Sequence, residues 1–189
     1  MQDDHAGSDW RRMQEEHFRS GDLRLFERQR RQAEAQAELQ AMAEAVGVPV
    51  HNEILLDLQL VDYDAVTIVL LELTPAILTA WADGNVSTRE RDTVLQMAAR
   101  DHVARNGPAC AQLAKWLDCY PSDRFFHVSL QAIGVMLATL DPEPRASLRR
   151  KVLNDCTRVA AASRGPFDWA HTISREEHQL INHIAAALS

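Results

Sequence analysis

The stretch that decides the fold is Trp81-Ala82-Asp83-Gly84-Asn85-Val86-Ser87-Thr88-Arg89-Glu90. Gly84 admits the left-handed backbone that a tight turn needs. Ser87 followed by Glu90 is a capping box: the Ser oxygen takes the backbone N–H of the third helical residue, and the Glu reaches back to the Ser N–H. Two of the donors that a helix start leaves orphaned are satisfied together. One helix therefore ends near Asp83-Gly84 and another begins at Ser87. The helix before the turn holds the longest apolar run of the chain, Ala65 to Ala82. Glu72 and Pro75 interrupt the run, and Asp62, Asp64 and Asp83 flank it. A membrane span asks for a cleaner run with basic or aromatic flanks. The run reads instead as a buried central helix, kinked at Pro75 because proline removes one backbone bond and crowds the preceding turn.

The same signal returns near the end of the chain as Ile173-Ser174-Arg175-Glu176-Glu177. Each copy follows an Ala-rich helix and a turn, and each leads into an amphipathic helix, which suggests a duplicated helix–turn–helix unit. Between the copies, helices are expected over Ser87–Arg105, from Pro108 to about Cys119, along the stripe Phe126, Leu130, Ile133 and Leu137, and after Asp141-Pro142-Glu143-Pro144. A loop at Ser163–Thr172 and a last helix at Ser174–Leu188 complete the reading. No period-two alternation suggests a strand. The expected fold is all-α: a domain over 48–189 with two pseudo-repeated helix–turn–helix halves, and an N-terminal helical extension over 1–47. From Arg28 to Gln40 the extension offers only Ala and Leu39 for burial, so it reads as an arm. Its larger residues, from Trp10 to Phe26, would anchor a protein partner or a second copy of the chain.

A net charge of −7 argues against a nucleic-acid partner, which needs a basic face to neutralise phosphates. The arginine clusters at Arg28, Arg30 and Arg31 and at Arg149, Arg150 and Lys151 read as solvated helix faces. Three cysteines, Cys110, Cys119 and Cys156, show no metal spacing and point to reduced thiols. Met1 to Asp9 is polar and acidic, without the pattern of an export signal, so a cytoplasmic protein is expected. No Gly-rich phosphate loop, GxSxG elbow or HExxH helix is present, and no His-Asp pair is placed to activate Cys119 or Cys156. His171, His178 and His183 gather near the C-terminus, but His178 and His183 lie five apart rather than the four that places ligands on one helix face. Trp81, Trp116 and Trp169 read as anchors of the core.

The turn Trp81–Ser87, the preceding Leu73-Thr74-Pro75-Ala76 and the closing Ile173–Glu177 resemble the TerB-like (tellurite-resistance) family over roughly Ala65 to Ser189. The resemblance implies an all-helical fold with pseudo-twofold halves and a role in bacterial stress response. It also implies a divalent cation (calcium, magnesium or zinc) held by acids at the turns. Carried onto this chain, those acids are Asp83 and Glu90 in the first half and Glu177 in the second. The second turn departs from the pattern: it reads Ser163-Arg164-Gly165-Pro166-Phe167-Asp168, and Asp168 is the acid that would stand in.

Three functions are compatible with these residues. The first is a non-enzymatic interaction module binding a protein partner in a stress-response or membrane-associated assembly. The second is a metal-dependent enzyme using Asp83, Glu90, Asp168 and Glu177. The third is a structural subunit that oligomerises through its N-terminal helices. The capping acids also have a plainer role, as Asp83-Gly84 makes a turn and Glu90 closes a cap.

Overall fold

The structure, a computed structural model, describes residues 26–47, 50–162 and 175–188, and all regular secondary structure among them is helical. The all-α class expected from the sequence is the class the chain adopts. Two compact units are present, Met1–Gln40 and Ala41–Ser189. Residues 26–46 are helical (α1). In the first unit, residues 26–37 are exposed, with Phe26 at 68%, and Arg30 pairs with Glu34 one turn on at 3.1 Å. In the second unit Met42 is fully buried.

The second unit then runs through α2 (Asn52–Gln59), a 3-10 helix (Ile68–Leu73), α3 (Thr74–Ala80), α4 (Thr88–Arg100), α5 (Pro108–Asp118), α6 (Asp123–Thr139), α7 (Pro142–Ala162) and α8 (Arg175–Ala187). The short α3 lies at the centre. Six of its residues, from Thr74 through Ile77 to Ala80, are buried, and it packs on α4, α5, α6, α7 and α8. A short helix of small residues can take five neighbours because each can approach its backbone closely. Helices α6 and α8 approach closely at Gly134, where a Cβ would stand 3.1 Å from the Ala187 carbonyl oxygen.

The apolar run differs from its expected form. It is a tight 3-10 turn that hands over to α3, and Pro75 sits in the first turn of α3, where its missing N–H has no helical partner to lose. Pro75 starts a helix and kinks none. Val66 and Val69 are each 45% exposed, so the run is buried on one side only. Asp64 organises its entry: its carboxylate accepts the N–H of Val66 at 3.0 Å and of Thr67 at 2.7 Å, while the Thr67 hydroxyl donates to it at 2.7 Å. Burial alone would raise the Asp64 carboxyl, and these bonds outweigh it and hold it below its usual value.

Helix α4 also ends early, at Arg100 instead of Arg105. His102 takes a left-handed conformation at φ 64°, and the Val103 N–H returns to the Ala98 carbonyl. Helix α2 ends the same way, with Asp62 at φ 67° and the Tyr63 N–H on the Leu58 carbonyl. Both are the six-to-one closure usually built on glycine, held here by the burial of the residues on either side of the reversal, Leu58 with Tyr63 and Ala98 with Val103. At the far end of α6, Arg145 donates to the carbonyls of Leu137, Ala138 and Leu140, closing the helix with a cation where its dipole is negative. No helix among the described residues is long and apolar enough to cross a membrane.

Candidate functional site

The turn singled out by the sequence is a closed structural device. Gly84 is left-handed at φ 85°, and the Asp83 carboxylate accepts the Asn85 N–H at 3.1 Å. The Ser87 hydroxyl accepts the Glu90 N–H at 3.3 Å, and the Glu90 carboxylate accepts the Ser87 N–H at 2.8 Å. Glu90 is buried and Asp83 is exposed. One carboxylate of the implied cation set is thus engaged in a cap. Asp168, the side chain of Glu177 and the Ser174 cap lie outside the described residues, as do His171, Trp169 and the expected loop at Ser163–Thr172. Among the described residues, no group of three or more His, Cys, Asp or Glu is arranged to hold a metal ion. Asp83 and Glu90 alone do not build a cation site.

The thiol of Cys156 is buried in the core, and burial pushes it up to about 12 against a hydrogen bond with Thr79. A thiol so placed stays protonated at neutral pH and is no nucleophile.

The chain's aromatic side chains converge elsewhere. Both tyrosines, two of the four tryptophans and two of the five phenylalanines form one connected cluster. Tyr63, just past α2, stacks on Phe125 of α6 at 5.3 Å and tilts against Trp116 of α5 at 5.2 Å. Trp116 and Phe125 meet at 4.7 Å. The Tyr63 hydroxyl lies 2.6 Å from Thr74 Oγ1 and 3.1 Å from Ser129 Oγ, with all three residues buried. Burial raises the Tyr63 phenol far above its ordinary value, although both hydroxyl partners pull it down. Each partner hydroxyl also reaches a helical carbonyl, Thr74 that of Leu70 and Ser129 that of Phe125. This neutral network ties α2, α3, α5 and α6 together.

Over the cluster lies a cleft of about 350 Å³. Its floor is Trp116 and Phe125. One wall is the end of α2, where Leu60 is 67% exposed, and the other is the α5–α6 connection, where Tyr120 is 45% exposed beside Pro121. Trp81 fixes the second wall from behind: its indole N–H donates to the Trp116 carbonyl at 2.9 Å, and its ring meets Tyr120 edge-on at 5.6 Å. The Tyr120 hydroxyl donates to Asp123 at 2.5 Å; partial burial and then the Asp123 carboxylate push that phenol up to about 12. Lys115 and Arg124 line the cleft and are exposed, and neither makes an ion pair or side-chain hydrogen bond with a described residue. Asp62 is the one acid of the lining, while nearby Asp118 is taken by Arg91. Cys119 is exposed at the rim.

Nothing in the sequence singles out Leu60, Lys115, Arg124 or Tyr120, and Cys119 stands there only as a thiol without an activating pair. The local signal is no more than an apolar Leu60 at the end of a short helix and a Tyr120-Pro121-Ser122 turn between two helices. Nothing in their spacing joins them, because the three segments meet only through Tyr63. Compared with protein-family models, curated proteins and solved structures, the chain has no match.

Proposed function

We propose that this chain is a non-enzymatic, TerB-like interaction module that binds a protein partner in a bacterial stress-response or membrane-associated assembly. The observation that carries the reading is the cleft: an apolar floor with exposed Leu60 and Tyr120 walls, fixed by an aromatic cluster, beside two exposed cations, Lys115 and Arg124. Recognition sites concentrate their energy in such aromatic anchors at low entropic cost. The TerB-like part rests on the Asp83-Gly84 turn and the Ser87–Glu90 box, which support it as a helix junction.

The test is a capture experiment from the native cell extract with the full chain and with a Leu60→Glu/Tyr120→Glu variant. The proposal expects a defined protein retained by the parent chain and lost from the variant, with the same circular dichroism for both and a variant melting temperature, lowered by the lost Tyr120 ring contacts, still well above the temperature of the capture. Equal retention by the two chains, or turnover of a substrate that maps elsewhere, would contradict it.

A further inference from the structure

The cleft's charges suggest what kind of partner enters it, and the inference rests on the interaction-module reading above. The chain carries an excess of acids, −7 overall, and several of its cations are bound within the fold. Lys151 is held by Glu72 and Asp101, Arg91 by Asp118, Arg145 by three carbonyls and Arg158 by Asp155. Lys115 and Arg124, like Arg31, Arg105 and Arg150, make no such contact with a described residue, but of these only Lys115 and Arg124 line the cleft. Each directly precedes one of the two rings, Trp116 and Phe125, that touch at 4.7 Å on the cleft floor, so two cations flank one apolar floor. An unpaired cation beside an apolar surface in an acidic protein is poor complementarity to the chain itself and good complementarity to an acidic ligand. The cleft volume falls at the lower end of small binding sites, enough for one or two side chains of a peptide.

We infer that the cleft takes a short acidic segment of a protein partner, with an apolar side chain seated between Leu60 and Tyr120 and flanking carboxylates paired with Lys115 and Arg124. Arg124 supplies the forked donor that suits a carboxylate, and Lys115 a mobile point charge. Asp62, on the α2 side of the same cleft, disfavours an acid there and so orients the segment with its carboxylates toward α5 and α6.

Cys119 gives the test its readout, since it is exposed at the rim, whereas Cys110 is half-buried outside the lining and Cys156 is buried. The full chain is alkylated with a maleimide while titrated with three short peptides: a Phe-Leu pair flanked by glutamates, the same pair flanked by lysines, and glutamates without the pair. Modification of each cysteine is followed by mass spectrometry. The expected result is saturable protection of Cys119, but not Cys110, by the first peptide alone. Lys115→Glu/Arg124→Glu should weaken that protection by about tenfold and transfer it to the lysine-flanked peptide. If the lysine-flanked peptide protects the parent chain equally, or the charge reversal changes nothing, the acidic-partner inference is overturned while the interaction module stands. If Cys119 is protected by raising the protein concentration alone, the occupant is a second copy and the inference is overturned. If no peptide protects and the Leu60→Glu/Tyr120→Glu variant also captures like the parent chain, both readings fall.

Discussion

Two junctions in the second unit join distant segments by opposite means. At the aromatic junction, Tyr63 ties α2, α3, α5 and α6 through ring contacts and a buried hydroxyl trio that carries no charge. At the ionic junction, Lys151 of α7 donates to Glu72 of the 3-10 helix at 2.7 Å and to Asp101, just past α4, at 2.8 Å, with side chains 27 to 38% exposed. Asp155 stands one turn on, where burial, and then Asp101 among the charges around it, raise its carboxyl against the pull of Lys151. Charge therefore holds the fold at one junction and is absent from the other. The ionic junction engages its cation, whereas the aromatic junction holds without one, and Lys115 and Arg124 above it make no ion pair with a described residue.

The largest effect is expected at the aromatic junction. Tyr63→Ala should cost about 3–5 kcal/mol, the range for emptying a ring-sized site in a packed core. Tyr63→Phe should cost only about 1 kcal/mol, because Thr74 and Ser129 each keep a carbonyl acceptor and no buried donor is orphaned. Urea unfolding measures both. Equal penalties would mean that the hydroxyl trio, and not the ring, holds the junction.

Lys151→Met comes next. A fully buried ion pair broken on one side would cost several kcal/mol, but this one is more than a third exposed and screened, so about 1 kcal/mol is expected. Alkali sharpens the contrast. Burial would lower the Lys151 pKa, and the hydrogen bonds to Asp101 and Glu72 outweigh it and raise it above 10.5. A raised folded value means that the stabilisation is complete below 10.5 and is lost as the pH climbs through the folded value. Parent chain and Lys151→Met should therefore converge in stability in alkali. Tyr63 titrates with the same sign for the opposite reason, since its neutral form is the one the fold holds. Tyr63→Phe should accordingly flatten the alkaline loss. If Lys151→Met instead diverges further from the parent above pH 10.5, the junction is not held by its charge.

These junctions mark the reach of sequence reading. The all-α class, the Ser87–Glu90 box and the Pro108 helix start were legible because each is local backbone chemistry written within a few residues. The 3-10 handover before Pro75 was not, since an apolar run has no period to separate it from a continuous helix. The ends of α2 and α4 were not, because Asp62 and His102 hold a conformation that glycine would announce. Glu72 looked like an intrusion in the apolar run until Lys151, 79 residues away, supplied its partner. The cleft was invisible for the same reason, and of the four acids put forward for a cation, only Asp83 and Glu90 could be placed by their side chains.

The smallest effects belong to the turn. Ser87→Ala should cost about 1 kcal/mol, for a lost capping acceptor. Glu90→Gln should cost a few tenths of a kcal/mol, because glutamine still closes the box. Thermal melts with and without calcium, magnesium or zinc check this. A Glu90→Gln penalty that grows only when a divalent ion is present would show that the carboxylate serves a metal as well as the cap.

On the proposal above, the cations of the cleft are held for a ligand and those of the ionic junction for the fold. Urea unfolding of Lys115→Met/Arg124→Met beside Lys151→Met tests it most directly. The double variant is expected to stay within about 0.5 kcal/mol of the parent, as for surface changes that break no contact, while Lys151→Met loses about 1 kcal/mol. A double variant destabilised as much as Lys151→Met would contradict it, because Lys115 and Arg124 would then be serving the fold.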